Sequence, residues 1–169
     1  RMTATAYLAL GSNLGDRVAL LSDAVKAIAA LPYTSVLAKS ALYESPAWGS
    51  ATPQPEYLNA VVAVGTELTA HELHRHTAAI EETQGRHRTA EKNASRTLDI
   101  DVLLYDDLVI DTPTLTIPHP RMYERDFVLL PLLDVAPGAR IPGRGAAKNI
   151  LATLPRTAIK RLGDSSQWI

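Results

Sequence analysis

Arg96-Thr97-Leu98-Asp99-Ile100-Asp101-Val102-Leu103-Leu104 combines a nearly continuous apolar run with two carboxylates. The apolar run predicts a buried β-strand, because strands covered on both faces show little polar alternation. Side chains two positions apart in a strand point to the same face. Asp99 and Asp101 are therefore predicted to lie side by side, roughly 6.5–7 Å apart at Cα.

Such a carboxylate pair needs a partner. Two like charges at this distance repel each other, and each is costly to bury alone. One or two Mg²⁺ ions remove both costs, since oxygen ligands suit this ion. The guanidinium of Arg96 could hold a phosphate that shares the metal. The alternative is an edge strand whose polar positions simply meet water, because a short Asp-x-Asp match is frequent by chance.

The composition is typical of a soluble protein of one domain. With 169 residues, 46% of them hydrophobic and 21% charged, the chain can bury a core, and we expect a single domain over residues 1–169. A net charge of −1 predicts no overall attraction to nucleic acid or an anionic membrane. No cysteine is present, which excludes disulfides and thiolate metal sites. Because no signal-peptide core and no run near the roughly 20 residues of a membrane span is found, we expect a cytoplasmic location.

Hydrophobic spacing predicts a strand, helix, strand, strand, helix order before the carboxylate strand. Strands are expected over residues 4–10, 35–42 and 57–66, and a helix between 18 and 31. The capping box Thr69-Ala70-His71-Glu72 predicts a second helix that runs to about residue 85. With the strand at 98–104, this β-α-β-β-α-β order predicts a ferredoxin-like α+β fold. Its sheet is expected to be mainly antiparallel, with helices on one face.

A C-terminal extension follows this core. A turn at Asp106-Asp107 predicts a returning strand at 108–110, which forms a hairpin with the carboxylate strand. A short extended piece is expected at 115–117, and helices at 128–135 and 147–154. Between them, Pro118-His119-Pro120 excludes a helix and presents His119 on a rigid loop.

Polar residues elsewhere leave alternatives open. Asn59 stands on an otherwise apolar strand face and needs hydrogen bonds, which a ring ligand or a neighbouring loop could supply. His71, His74 and His76 cluster near the start of the second helix without a convincing further ligand, and we interpret them as surface residues. Two irregular loops, 43–55 and 85–95, flank the predicted site.

The segment from Lys92 to Leu103 fits a longer motif: a basic residue, any residue, two small ones, Arg, two free positions, Asp-aliphatic-Asp and two aliphatics. Matches at Pro46, Tyr57-Leu58-Asn59-Ala60 and Pro118-His119-Pro120 add to it. On these motifs the chain resembles the 6-hydroxymethyl-7,8-dihydropterin pyrophosphokinases of folate biosynthesis.

This resemblance implies transfer of a diphosphate from ATP to the pterin hydroxymethyl group, with release of AMP. It implies that Asp99 and Asp101 hold two Mg²⁺ ions, in agreement with two-metal stabilisation of an in-line displacement. The implied catalytic set is Arg86, Arg96, Asp99, Asp101, His119 and Arg125. The implied ATP contacts are Glu81, Arg86, Arg88, Arg96, Val102, Thr116, His119 and Arg125. The implied pterin contacts are Ser45, Pro46, Trp48, Tyr57, Asn59 and Phe127, with the ring stacked between Tyr57 and Phe127.

Several positions depart from many of these enzymes. Asn93 stands where many carry Trp, Pro120 where several carry Tyr, and Thr114 where several carry a basic residue. These changes concern closure of the 85–95 loop and the ATP contacts. Trp48 replaces a smaller aliphatic residue at the rim of the implied pterin pocket.

Two other functions compete with this one. The ferredoxin-like order also serves RNA-binding modules, although the strands lack an aromatic RNP-like string and the charge is near neutral. Another Mg²⁺-dependent nucleotide enzyme, cyclase-like or phosphatase-like, could also use paired Asp residues. The expected partners are ATP and a reduced pterin, with no nucleic acid, membrane or obligate protein partner.

Overall fold

The computed structural model describes residues 3–13, 15–46, 56–85, 98–163 and 168. Fourteen helices and strands follow one another in these ranges, besides a 3-10 turn at Met122–Glu124. They are β1 Ala4–Ser12, α1 Arg17–Ala29, β2 Thr34–Lys39, β3 Tyr43–Ser45, β4 Tyr57–Thr66, α2 Ala70–Gly85, β5 Asp99–Tyr105, β6 Ile110–Asp111, β7 Thr116–Ile117, α3 Asp126–Val135, β8 Arg140–Ile141, β9 Gly145–Ala146, α4 Ala147–Thr153 and β10 Lys160–Arg161.

The main sheet has the order β10-β3-β4-β1-β5, and β2 also pairs with β4. Its pairings are all antiparallel. The central strand β1 lies between β4 and β5, as the ferredoxin-like prediction requires. That prediction is confirmed, together with the capping box, in which Thr69 N donates to Glu72 Oε1 at 2.8 Å and Glu72 N to Thr69 Oγ1 at 3.2 Å.

Helices cover both faces of the sheet. Leu8 and Val62 face a core with Leu21 of α1 and Leu73 of α2. The alternate residues of the same strands point the other way, into a second core formed with α3 and α4. The prediction of helices on one face is therefore right for α1 and α2 but incomplete. The C-terminal extension supplies the second layer, which explains why the central strands are apolar on both sides.

A β-bulge ends the alternation in β5. Leu8 lies opposite Val102 and Tyr7 opposite Leu104, so Leu103 is an extra residue on β5. Leu103 and Leu104 consequently both belong to the core beneath α3 and α4. The bulge lies beyond Asp101, and the carboxylate end of the strand keeps its regular alternation.

The strand predicted over 35–42 is present as β2 only up to Lys39, and Tyr43–Ser45, predicted as part of a loop, forms β3; the ladder to β4 is interrupted between them, beside Ser40. The Ser40 hydroxyl donates to Ala41 O at 2.7 Å and accepts from Val61 N at 2.8 Å. Its carbonyl accepts from Trp168 Nε1 at 2.9 Å. As a result β2 pairs with the second half of β4 and β3 with its first residues. A serine side chain thus replaces part of the backbone ladder.

The predicted hairpin is also wrong in its partner. Ile110 of β6 pairs with Ile117 of β7, not with β5. His119 N instead donates to Leu103 O at 2.9 Å, so the 117–119 segment lies along the outer edge of β5. The short extended piece predicted at 115–117 is present as β7.

The interruption of the ladder beside Ser40 gives a stability prediction. Ser40→Ala leaves the buried Val61 N–H without its acceptor, and we expect a loss of about 1–3 kcal/mol in the free energy of unfolding. Urea unfolding followed by circular dichroism measures it. Thr83→Ala is a matched control, since it removes an exposed hydroxyl that donates to Ala79 O at 2.9 Å. Equal stability of the Ser40 variant and the wild type would contradict the assigned role.

Within the described parts of the chain, no helix has both the length and the hydropathy of a segment that crosses a bilayer.

Candidate active site

Asp99 and Asp101 lie on one face of β5, at the end of the sheet. Their neighbours on β1 are Gly11 opposite Asp99 and Ala9 opposite Asp101. All four residues line a cavity of about 240 Å³, which we call the first cavity. The small residues on β1 leave space in front of the carboxylates, and the predicted same-face placement of the two acids is present.

These carboxylates are accessible to a ligand. Asp99 is exposed and the Asp101 side chain is 45% exposed. The apolar residues of β5 are buried as predicted, but its two carboxylates are not, because β5 is the edge strand here and its first residues reach the end of the sheet. Within the described ranges, no group of three or more His, Asp or Glu side chains gathers to hold an ion. Mg²⁺ is commonly held by one or two carboxylates, substrate phosphates and water, so this donor set fits such an ion.

The other wall of the first cavity is aromatic and polar. It is formed by three adjacent elements: β3, the start of β4 and the start of α3. The residues predicted for pterin that lie there are Ser45, Pro46, Tyr57, Asn59 and Phe127, and Arg125 lies among them.

Asn59 is held by the protein itself. Its Nδ2 donates to Ser45 Oγ at 2.7 Å and to Tyr43 O at 3.2 Å, and the residue is only 8% exposed. The sequence left open whether a ring ligand or a neighbouring segment satisfies this side chain. For the amide nitrogen it is the neighbouring segment, β3. The oxygen is directed towards Gly11, where a Cβ, if the residue had one, would lie 3.7 Å from Asn59 Oδ1. Asn59 thus presents a fixed acceptor near the cavity floor.

Arg125 connects the acidic and aromatic parts of the cavity. It is the N-cap residue of α3, with an extended backbone (φ −121°, ψ 105°) and no side-chain capping hydrogen bond. Its guanidinium carbon lies 5.7 Å from the centroid of the Phe127 ring, within the range of a cation–π contact. Both side chains line the first cavity together with Asp99 and Asp101.

A second cavity of about 240 Å³ lies on the other side of Asp101. Of the residues predicted to contact ATP, it contains Val102, Thr116 and His119. Thr114 and Pro120, two of the departures noted in the sequence, also line it. Asp101 belongs to both cavities and marks the point where they meet.

His119 has a defined hydrogen-bonding state. Its Nδ1 accepts from Arg121 N at 3.2 Å, which leaves the ring proton of the neutral form on Nε2. Nε2 lies 3.8 Å from Asp101 Oδ2. Burial lowers the pKa of His119, the Asp101 carboxylate opposes this effect, and Arg125 and Arg121 add to it. The ring therefore tends to be neutral and presents an N–H donor beside Asp101.

Two residues of helix α2 have surroundings that the sequence did not predict. Glu81, predicted as an ATP contact, lines neither cavity. Its Oε2 accepts from Ile100 N at 2.8 Å and so supports β5 between the two acids. His74, interpreted as a surface residue, lines the second cavity. Since His74 and Glu81 are about two helical turns apart, they share one face of α2, and this spacing was the available signal.

The remaining predicted contacts lie outside the described residues. They are Trp48, Arg86, Arg88 and Arg96. Asn93, whose change concerned loop closure, also falls there.

Comparison with known proteins identifies a matching family. The family model for 7,8-dihydro-6-hydroxymethylpterin-pyrophosphokinase (HPPK) matches residues 7–137. The 2-amino-4-hydroxy-6-hydroxymethyldihydropteridine pyrophosphokinase of Methylorubrum extorquens is 43% identical over 93% of this chain and 98% of its own length. The enzyme of the same name from Pseudomonas aeruginosa is 41% identical over 92% of this chain and 95% of its own.

Solved structures show the same fold at low sequence identity. An HPPK-DHPS crystal structure in complex with substrates has a TM-score of 0.74 and 14% identity, and covers 95% of this chain. Wild-type HPPK-DHPS of Plasmodium falciparum has a TM-score of 0.68 and 16% identity, and covers 89% of this chain. The chain spans 48% and 44% of those two longer chains.

Proposed function

The chain belongs to the 7,8-dihydro-6-hydroxymethylpterin-pyrophosphokinase family, and from that premise we propose how its two cavities divide the reaction. The reaction transfers the pyrophosphoryl group of ATP to hydroxymethyldihydropterin in folate biosynthesis. The hydroxymethyl oxygen forms a bond to the β-phosphorus of ATP. The bond from that phosphorus to the oxygen that bridges it to the α-phosphorus breaks, and AMP leaves with this oxygen. The hydroxyl proton is released.

The first cavity takes the pterin. Tyr57 and Phe127 offer the aromatic surfaces on which a flat ring stacks. Asn59 Oδ1 is a fixed acceptor for an amino or ring N–H group, because Nδ2 is already engaged by β3. The hydroxymethyl arm then extends towards Asp99 and Asp101. Trp48 is part of this proposal on sequence grounds alone.

The second cavity takes the adenosine part of ATP. Val102 and Thr116 line it, and His74 and Thr114 offer further polar contacts. The triphosphate then runs past His119 to Asp101. The position of Asp101 on the border of both cavities is the observation that carries this proposal, because the reacting groups have to meet between the two substrates.

Two Mg²⁺ ions on Asp99 and Asp101 are part of the proposal. When bound there, such ions neutralise phosphate charge and orient the attacking and leaving oxygens. The protein's own cations would add to this effect. Arg125 faces the same cavity, and His119 Nε2–H is placed to donate to a phosphate oxygen. On sequence grounds, Arg86, Arg88 and Arg96 complete the clamp on the triphosphate, and Glu81 would act on the nucleotide site only through β5.

The covered sheet argues against the RNA-binding alternative. RNA modules of this fold stack bases on an open sheet face. Here α1 with α2 and α3 with α4 cover the two faces. The proposed partners are therefore ATP and a reduced pterin, and the proposal invokes no nucleic acid, membrane or protein partner. The proposed location is the cytoplasm, and both cavities are assigned to one domain.

A product assay tests the proposed function. The purified chain is incubated with ATP, Mg²⁺ and 6-hydroxymethyl-7,8-dihydropterin, and products are resolved by mass. We expect AMP and the pterin diphosphate in equal amounts, with neither product when Mg²⁺ is chelated. Free phosphate or pyrophosphate without a pterin product would indicate the alternative nucleotide enzymes and overturn the proposal.

A further inference from the structure

The start of α3 contains a buried acid that the proposed reaction does not use. Asp126 is 3% exposed, although it is the first residue of the helix. A buried carboxylate is costly unless hydrogen bonds compensate for lost water. Asp126 lies between Arg125 and Phe127, which both line the first cavity. Any constraint on Asp126 therefore acts directly on the two residues beside it.

Thr157 donates hydrogen bonds to this acid from its backbone and from its side chain. Thr157 N donates to Asp126 Oδ2 at 2.8 Å. The Thr157 hydroxyl lies 2.9 Å from Oδ1 and 2.8 Å from Oδ2, and its single proton is shared between them. The N-terminus of α3 adds a favourable interaction with a carboxylate in its first turn. We call these hydrogen bonds from Thr157 to Asp126 the clamp. The clamp fixes the start of α3, and the Arg125 side chain makes no capping hydrogen bond there.

The segment that carries Thr157 also contacts β3, a second element of the same cavity wall. It leads into β10, where Lys160 pairs with Glu44 and Arg161 with Tyr43 of β3. Ser45 of β3 lines the first cavity. One short segment thus joins β3 to the start of α3, and both of these elements carry residues of the proposed pterin site.

The same segment contacts the other end of α3. Arg161 Nη2 lies 3.8 Å from Asp134 Oδ2, and the Tyr43 hydroxyl donates to Asp134 at 2.9 Å. Helix α3 is therefore attached to Thr157 at its start and to β3 and β10 near its end. The family match ends at residue 137, so this attachment comes from a part of the chain outside the matched region.

We propose that Thr157, acting through the buried carboxylate of Asp126, is a positioning residue that holds Arg125 and Phe127 in the orientation that binds the pterin. The proposal rests on the proposed function of the first cavity. It assigns no chemical step to either residue. It predicts that the clamp affects pterin binding and turnover more than binding in the second cavity.

Four variants test this proposal. Thr157→Val removes the hydroxyl but keeps the shape and the backbone N–H. Thr157→Ser keeps the hydroxyl and removes only the methyl group. Asp126→Asn removes the charge, and the double variant with Thr157→Val tests whether the two residues act together. Thr153→Val is the matched control, because that hydroxyl is exposed and donates to Ile150 O of its own helix at 2.7 Å.

The readouts separate positioning from stability. Pterin affinity is measured by calorimetry with Mg²⁺ and a non-hydrolysable ATP analogue, at a temperature well below the melting transition of each variant. We expect Thr157→Val to weaken pterin binding at least threefold. We also expect it to raise the KM for pterin more than the KM for ATP, each relative to wild type. Thr157→Ser and Thr153→Val should stay close to wild type, and the double variant should equal the weaker single variant.

A smaller change than threefold for Thr157→Val, even with a lower melting temperature, would overturn the positioning role. So would failure of Thr157→Ser to recover binding. A wild-type chain that neither binds the pterin nor forms its diphosphate would instead contradict the proposed function itself. If Asp126→Asn does not fold, the Thr157 pair alone still decides the question.

Discussion

Asp101→Ala is expected to lower kcat at least about a hundredfold, on the order of 3 kcal/mol of barrier. Asp101 borders both cavities and lies beside His119, so its loss removes the proposed meeting point of metal, phosphate and hydroxymethyl group. Asp99→Ala is expected to act in the same direction, since Asp99 shares the same face of β5. Initial rates of AMP formation at saturating substrates give the comparison.

Two controls accompany the Asp101 measurement. Asp107→Ala removes an exposed carboxylate just after the same strand, and should leave kcat within threefold of wild type. Asp101→Asn keeps the side-chain size and removes the charge, so a loss similar to that of the alanine variant assigns the effect to charge. Retention of more than a tenth of wild-type activity in a folded Asp101→Ala variant would contradict the carboxylate's proposed role.

Arg125→Ala is expected to reduce kcat/KM for the pterin roughly a hundredfold, a size typical of losing one donor that stabilises developing charge. The guanidinium lies over the Phe127 ring and faces the carboxylates, so it can contact both the pterin and the transferred phosphate. Arg125→Lys should recover only part of the loss, because an ammonium lacks the planar fork of donors. Steady-state kinetics with each substrate varied in turn measure both variants.

Arg121→Ala is the matched control for Arg125. Its side chain is 66% exposed and lies near Glu124, with 3.9 Å between Arg121 Nε and Glu124 Oε2, and it is not among the residues that line either cavity. We expect less than a threefold change. An equal loss in both arginine variants would indicate a general effect of positive charge rather than a specific contact of Arg125.

The sequence predicted features that depend on local periodicity. The strand period of two placed Asp99 and Asp101 on one face, and helical spacing with a capping box located α1 and α2. The element order then led to the sheet topology. These features need only short segments of sequence, in which apolar spacing and turn residues agree with each other.

Features that depend on contacts between distant segments were missed or mispredicted. Ser40, where the ladder is interrupted, accepts hydrogen bonds from Val61 and Trp168, and neither residue is close to it in sequence. Strand β6 pairs with β7 and not with β5, whose edge is occupied by the 117–119 segment. No spacing rule relates Asp126 to Thr157. Such contacts form only when the whole chain is folded.

The position of Asp101 between the two cavities has a thermodynamic consequence. A ligand in either cavity changes the electric field at this shared carboxylate, and therefore the environment that the other ligand meets. At equilibrium, such coupling is reciprocal: the factor by which the nucleotide changes pterin affinity is the factor by which pterin changes nucleotide affinity. With the two substrates bound as proposed, one side chain on an edge strand would couple their binding free energies.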